Sequence, residues 1–324
     1  MEIKVLDGSF RLKGIIDSVQ SLSYTECLRS AGRLHMKIPF DKELYELLKP
    51  PARLLIDSLP FNVEMLRCEK NTIIVTGVGI FDEFRHIYIC DPKHQSTTPS
   101  HYLSYLASEA SFDNVRYVVY GQTEVSESAV ELYSWCDSYE SIMKRIFHEY
   151  DLGYKMIYDD KLEELAFYIV PLHDKAYKGS SVLVVSDERG DYELIESVLD
   201  VSDYKNNVEL LQWYAHTQIG YRESFDRSGG EPKRSIAMET SIPAKSETDI
   251  ENGFRAIAGE LFAKHSKRQE YKIMPTRELG AELGDIVFFE SSRLGQSHGA
   301  VLVERETSYG DTGCKKILTL EVDK

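Results

Sequence analysis

The side chains able to do chemistry are scattered along this sequence. Nine histidines are present, but none falls into His-x-His, His-x-x-His or His-Glu-x-x-His, the spacings that aim two imidazoles at one metal. His148 precedes Glu149 in a predicted helix, and neighbouring helical positions point about 100° apart. A surface pair is favoured over an acid–base couple. Cys136 and His148 are the nearest Cys/His combination. Cys136 precedes a helix N-terminus, where the dipole lowers a thiol pKa, yet nothing in the sequence orients the histidine. Gly-x-Ser-x-Gly and Walker sequences do not occur. Gly77-Val78-Gly79 follows a strand but lacks the third glycine of a dinucleotide loop, so it reads as a tight strand exit. Asp159–Asp160 and Glu163–Glu164 read as a solvated hairpin tip rather than a glycosidase pair or calcium site. His173–Asp174 reads as a loop turn. The expectation is a chain that is not an enzyme, with no catalytic, cofactor-binding or metal-ligating residues.

Composition bounds the classes further. The chain has 324 residues, 42% hydrophobic and 28% charged, enough for two or three domains with packed cores. Its formal charge is −15, with 53 acidic against 38 basic residues. No run of Lys or Arg forms a basic stripe, so specific nucleic-acid binding is not expected. Excess acid keeps a protein dispersed, and in a DNA channel it would form a wall from which the duplex is repelled. Twenty Tyr against two Trp, Trp135 and Trp213, suggest interfaces, where an apolar ring with a polar tip is enriched.

Cys27, Cys68, Cys90, Cys136 and Cys314 are odd in number, widely spaced and never Cys-x-x-Cys. Buried thiols in a reducing compartment are expected. Met1–Phe10 carries Glu2, Lys4 and Asp7 and no apolar core, unlike a signal peptide, and no stretch matches a membrane span. Synthesis and first folding in the cytoplasm follow as expectations.

The elements needed to position any site are mostly strands. Ile3–Leu6, Leu12–Asp17, Ser21–Glu26, Leu34–Ile38, Arg53–Asp57, Val63–Glu69 and Thr72–Val78 read as antiparallel β, with a short helix at Asp41–Leu48. Leu34, Met36 and Ile38 alternate with His35 and Lys37, the period of a half-buried strand. His101–Glu109 reads as a helix. A second helix is predicted after Asp137, which pairs with Glu140 as a capping box, with Gly153 at its C-terminal end. Tyr154–Tyr158 and Leu165–Val170 follow as a hairpin. Ser181–Ser186, Ile195–Asp203, Val208–Thr217, Asp285–Glu290, Ala300–Glu306 and Lys316–Val322 are further strands. Arg222–Lys233 reads as a mobile loop, and Thr248 with Glu251 as a capping box for a helix over Asp249–Lys267. The predicted class is α+β: two small antiparallel β-barrel domains, 1–95 and 179–324 (its helix at about 248–267), with an α+β domain inserted at 96–178. Two similar barrels per chain would let three copies present six units around a ring.

Several segments resemble phage tail hub proteins of Gram-positive phages, defective prophages and phage-tail bacteriocins. They are Ile3–Leu6, Gly14-Ile15-Ile16-Asp17, Ser21-Leu22-Ser23-Tyr24, and Ala31-Gly32-Arg33-Leu34 ending near Pro39. Thr76-Gly77 before Phe81–Arg85, the asparagine-led Asn206-Asn207-Val208, and Glu282-Leu283-Gly284-Asp285-Ile286-Val287 complete the set. Their order across nearly the whole chain carries the resemblance. Arg222 is the position to compare with an arginine that some members carry after the second barrel's long strand. Many members continue into a cell-wall-degrading domain, whereas this sequence stops at Lys324. The resemblance implies a tail-hub-like fold and a homotrimer forming a pseudo-sixfold ring. That ring would join the tail-tube or distal tail protein to the tail-tip or spike protein, with the tape-measure protein as a further partner and DNA passing through the lumen. No cofactor is implied, and the place of work is the tail of a virion or phage-like particle. The rival readings are a tail-associated cell-wall hydrolase and a receptor- or carbohydrate-binding tip protein.

Overall fold

The computed structural model describes residues 2–88, 95–109, 116–120, 130–132, 138–159, 164–172, 183–213, 220–240, 247–310 and 313–322. Its N-terminal strands are β1 (Ile3–Leu6), β2 (Leu12–Ile16), β3 (Ser21–Cys27) and β4 (Arg33–Pro39). On β4 the expected alternation holds, with Leu34, Met36 and Ile38 buried and Arg33, His35 and Lys37 exposed. Helix α1 (Lys42–Leu47) is capped by Asp41, whose carboxylate accepts from Leu44 N at 2.8 Å. β5 (Arg53–Ile56) and β6 (Leu59–Glu69) are joined by Asp57 and Ser58, both at positive φ, the signature of a tight hairpin turn. β7 (Thr72–Gly79) leads into a 3₁₀ helix, Ile80–His86, which buries Ile80, Phe81 and Phe84.

The middle contains β8 (Gln95–Thr97), α2 (Pro99–Glu109), β9 (Arg116–Tyr120), β10 (Val130–Leu132), α3 (Tyr139–Glu149), β11 (Leu152–Asp159) and β12 (Glu164–Pro171). Two sequence expectations are corrected here. The cap of α3 is Ser138, whose hydroxyl accepts from Ser141 N; Asp137 lies outside the described residues. Gly153 does not end the helix but lies in β11, where a Cβ would stand 2.3 Å from Leu28 Cγ. The left-handed position after α3 is taken by Asp151, at φ 48°, a conformation Asp tolerates better than most residues.

The last third comprises β13 (Leu183–Ser186), β14 (Tyr192–Asp200), β15 (Asn207–Trp213), β16 (Gly220–Asp226), β17 (Ser235–Glu239), α4 (Glu247–Lys264), β18 (Arg268–Pro275), β19 (Ile286–Ser291), β20 (Gln296–Gly310) and β21 (Gly313–Val322). The predicted loop at Arg222–Lys233 is half strand: β16 runs to Asp226 and pairs with β15. Its Tyr221 and Phe225 pack on a core that the polar residues between them conceal in the sequence. Thr248 lies inside α4 rather than capping it, because the helix already begins at Glu247. β18 escaped prediction, its alternation of Tyr271 and Ile273 being only two residues long.

Two compact units result: Met1–Glu196 with Tyr271–Lys324, and Ser197–Glu270. In the second, β16-β15-β17 form a small sheet against α4. Val208 and Leu210 there meet the helical stripe Ile250, Phe254, Ala258 and Phe262. The main sheet follows the order β14-β18-β21-β20-β3-β4-β7-β6-β5-β1-β2, with β13 and β19 branching from β20. Among the described residues it closes no barrel. The reason is β20. Its first part, Gln296–Val301, pairs with β19, and Glu304–Tyr309 pairs with β3. One 15-residue strand therefore carries the C-terminal strands into register with the N-terminal ones, while their cores stay distinct. One is built on Leu22, Met36, Ile56 and Val75; the other on Tyr271, Phe289, Leu302 and Leu320. A third packs α2, α3, β11 and β12 on Phe10, Phe81 and Phe84.

Candidate interaction surfaces

Among the described residues, those singled out for chemistry are not brought together. His148 is exposed on α3, with Nδ1 3.3 Å from Arg29 Nη1; Cys136, Cys90, Asp160, Glu163, His173, Asp174 and Trp135 lie outside the described residues. Cys27 is packed under β20 and donates to Glu304 Oε2 at 3.4 Å. Burial, and then the neighbouring Glu304 charge, push its thiol up to about 12, so it is inert at neutral pH. Cys68 and Cys314 are exposed. Among the described residues no cluster of His, Cys, Asp or Glu could hold a metal ion, and no helix is long and apolar enough to cross a membrane.

The glycines of Gly77-Val78-Gly79 serve strand packing. A Cβ on Gly77 would meet Asn62 O at 2.5 Å, and Gly79 N donates to Gly32 O at 2.8 Å. With its amide so engaged, the step offers no cradle for phosphate. The other resemblance-bearing glycines are explained the same way. A Cβ on Gly32 would stand 2.0 Å from Thr25 O, and Gly284 sits at φ 89° with Val170 2.7 Å from a Cβ. Asn206 and Asn207 are buried. Asn206 accepts from Arg234 N and donates to Pro232 O, and Asn207 donates to Ser235 Oγ, which fastens the β16–β17 connection. Arg222 is a surface residue of β16, 2.6 Å from Glu209.

The most elaborate carboxylate environment belongs to Asp187. It accepts from Ser292 N, Ser291 Oγ, Arg293 N and Ser292 Oγ, and these bonds, led by the Ser292 amide, hold it at about 2. The donors lie at the end of β19 and in the turn that follows it, so the group locks a turn rather than serving a substrate. A cleft of about 50 Å³ is lined by Glu26, Cys27, Phe61, Phe81, Tyr154 and Lys155 among others. That is well below the ~300–1,000 Å³ of a typical small-molecule site.

What the fold presents to partners is sheet edge and sheet face. Among the described residues, the terminal strands β2 and β14 each have a strand neighbour on one side only. β2 exposes Leu12 and Ile15, and β14 exposes Ile195 and Leu199. Tyrosine does not dominate these surfaces: among the described residues seven tyrosines, including Tyr24, Tyr154 and Tyr271, are buried. Several spend their hydroxyls on internal acceptors, such as Tyr154 on Ser30 O and Tyr192 on Glu290 O. Part of the abundance read from composition as interface is therefore core. The solvent face of the main sheet is different again. Arg33, His35 and Lys37 stand in line on β4, flanked by Ser21, Ser23 and Thr25 of β3 and by Thr72, Ile74, Thr76 and Val78 of β7.

No family model matches the chain, and no curated protein matches it by sequence. Solved structures do match in fold. Prophage tail protein gp18 from Listeria monocytogenes aligns over 100% of this chain and 95% of its own, with a TM-score of 0.63 at 13% identity. The tail protein from Neisseria meningitidis aligns over 99% and 96%, with a TM-score of 0.65 at 12% identity. The p2 virion baseplate in its activated conformation aligns over 100% and 99%, with a TM-score of 0.52 at 10% identity. The fold is therefore not confined to the Gram-positive phages of the sequence resemblance. From end to end, this chain has the fold of phage tail and baseplate proteins.

Proposed function

We propose that the chain is a structural hub of a phage or phage-like tail. Three copies form a pseudo-sixfold ring that joins the tail tube to the tip or spike, without enzymatic activity. The observation that carries this reading is the end-to-end likeness to tail and baseplate proteins. Two β cores connected through the β3–β20 pairing support the two-module arrangement. The corresponding modules are 1–95 and 179–324, with 96–178 as the insertion. Open edges at β2 and β14 support self-association, because an unpaired strand is a template for another chain and heterologous contacts that close make rings. The partners are the tube or distal tail protein, the tip or spike protein and the tape-measure protein. The place of work is the particle's tail, after assembly in the bacterial cytoplasm.

Co-expression with the tube protein of the same particle tests the reading. Threefold rings at tube ends in electron micrographs are the expected result. A chain that stays apart from tube protein and clears cell walls in a zymogram would transfer the assignment to the hydrolase reading. Retention on walls without lysis would favour the binding-tip reading.

A further inference from the structure

We propose that the solvent face of β3, β4 and β7 is a contact surface for the phosphodiester backbone of duplex DNA. Arg33 and Lys37 supply the charge, with His35 between them as a hydrogen-bonding group. On a strand, alternate residues share a face and lie two rises, about 6.6–7 Å, apart. Arg33, His35 and Lys37 therefore form a straight row along β4, a strand flanked on both sides by others. All three are exposed, and among the described residues none of their side chains has an ion-pair or hydrogen-bond partner. In a chain of net charge −15, unneutralised cations in line are the exception.

The floor around the row decides between partners. Ser21, Ser23 and Thr25 lie on one side, and Thr72, Ile74, Thr76 and Val78 on the other. No Phe, Tyr or Trp stands on this face of the three strands. Protein hot spots are built on aromatic anchors in pockets, whereas phosphate contacts come from Arg, Lys and small hydroxyl side chains. The acids nearest along the sheet are one strand further away on either side, roughly 9.6 Å from β4: Glu69 on β6, paired with Arg67, and Glu304 and Glu306 on β20. The carboxylates of Glu304 and Glu306 accept from Cys27 and Ser23. The surrounding negative charge keeps such a contact weak, as needed for a duplex that slides rather than sticks.

Fluorescence anisotropy of a labelled duplex with the purified chain at low salt is the test. Binding is expected with a Kd within about 10⁻⁴–10⁻⁶ M and a log–log salt slope of about −2, from two neutralised phosphates. The combined Arg33→Ser, His35→Ser, Lys37→Ser variant should bind at least tenfold more weakly. Removing equal charge elsewhere, by Lys42→Ser with Arg85→Ser, should change affinity less than twofold. In the unaltered chain, DNA should also protect Lys37 from acylation, a reading that needs no variant. Absence of binding, equal losses in both variants, or equal affinity for polyglutamate would overturn the assignment. Failure here leaves tube assembly untouched, so it is distinguishable from failure of the hub reading.

Discussion

At the residue scale the most consequential polar group is the pair Arg53–Glu83. Arg53 is 7% exposed, lies 2.6 Å from Glu83, also meets Asn62, and stacks 4.1 Å from the Phe10 ring. Removing one partner of a buried pair strands the other charge, at a cost of about 3–5 kcal/mol. Glu83→Ala should lower stability by about 3 kcal/mol, measured by urea unfolding. A loss below 1 kcal/mol would show that solvent reaches the pair. His298 supplies a pH dependence. It stacks 5.5 Å from the Tyr271 ring, its buried Nε2 has no partner among the described residues, and burial lowers its pKa. The folded state therefore stays neutral while the unfolded chain takes up a proton as pH falls through about 6.5. Stability should be full above that pH and decline below it, until the folded form also protonates. His298→Phe should flatten the decline between pH 7.5 and 5.5 in thermal melts. Neither cluster was legible in the sequence, because Arg53 and Glu83 are 30 residues apart, as Tyr271 and His298 are 27.

At the element scale, glycines set the spacing of the strands. Gly32 and Gly79 let β3, β4 and β7 approach so closely that Gly79 N donates to Gly32 O. Gly32→Ala would place a Cβ 2.0 Å from Thr25 O, a backbone atom that cannot swing away. A loss of about 2–3 kcal/mol is expected, with faster hydrogen exchange on β3 and β4. Unchanged exchange would mean that the turn between these strands adapts. The strands themselves were legible where alternation was long, as over Leu34–Ile38. They were missed where it was short or polar, as in β16, β17 and β18. The helix ends were misread by one or two residues, because Ser138 competes with its neighbour for the cap, and Asp151 takes the turn that glycine usually takes.

At the scale of the molecule the proposed ring makes a specific demand on the sheet ends. Ile195 and Leu199 on β14 and Leu12 and Ile15 on β2 are exposed large aliphatics on unpaired edges. Charged residues on such edges block strand addition. Ile195→Lys with Leu199→Lys should shift the chain toward monomer in native mass spectrometry while leaving its unfolding midpoint nearly unchanged. Trimers persisting in that variant would place the contact elsewhere.

The sequence by itself determined what local periodicity can carry. It showed a chain dominated by short antiparallel strands, the helix near 138–150, the apolar stripe of α4, and histidine and cysteine spacings unsuited to a shared metal. Order along the chain was also enough to bring out the tail-protein resemblance. Only the tertiary structure decided that both strand sets share one open sheet, because pairing such as β3 with β20 joins residues nearly 300 positions apart. It also decided that seven of the tyrosines belong to cores. The cation row on β4 was overlooked for a related reason: a search for consecutive charges cannot see residues that become neighbours only when every second side chain turns to the same face.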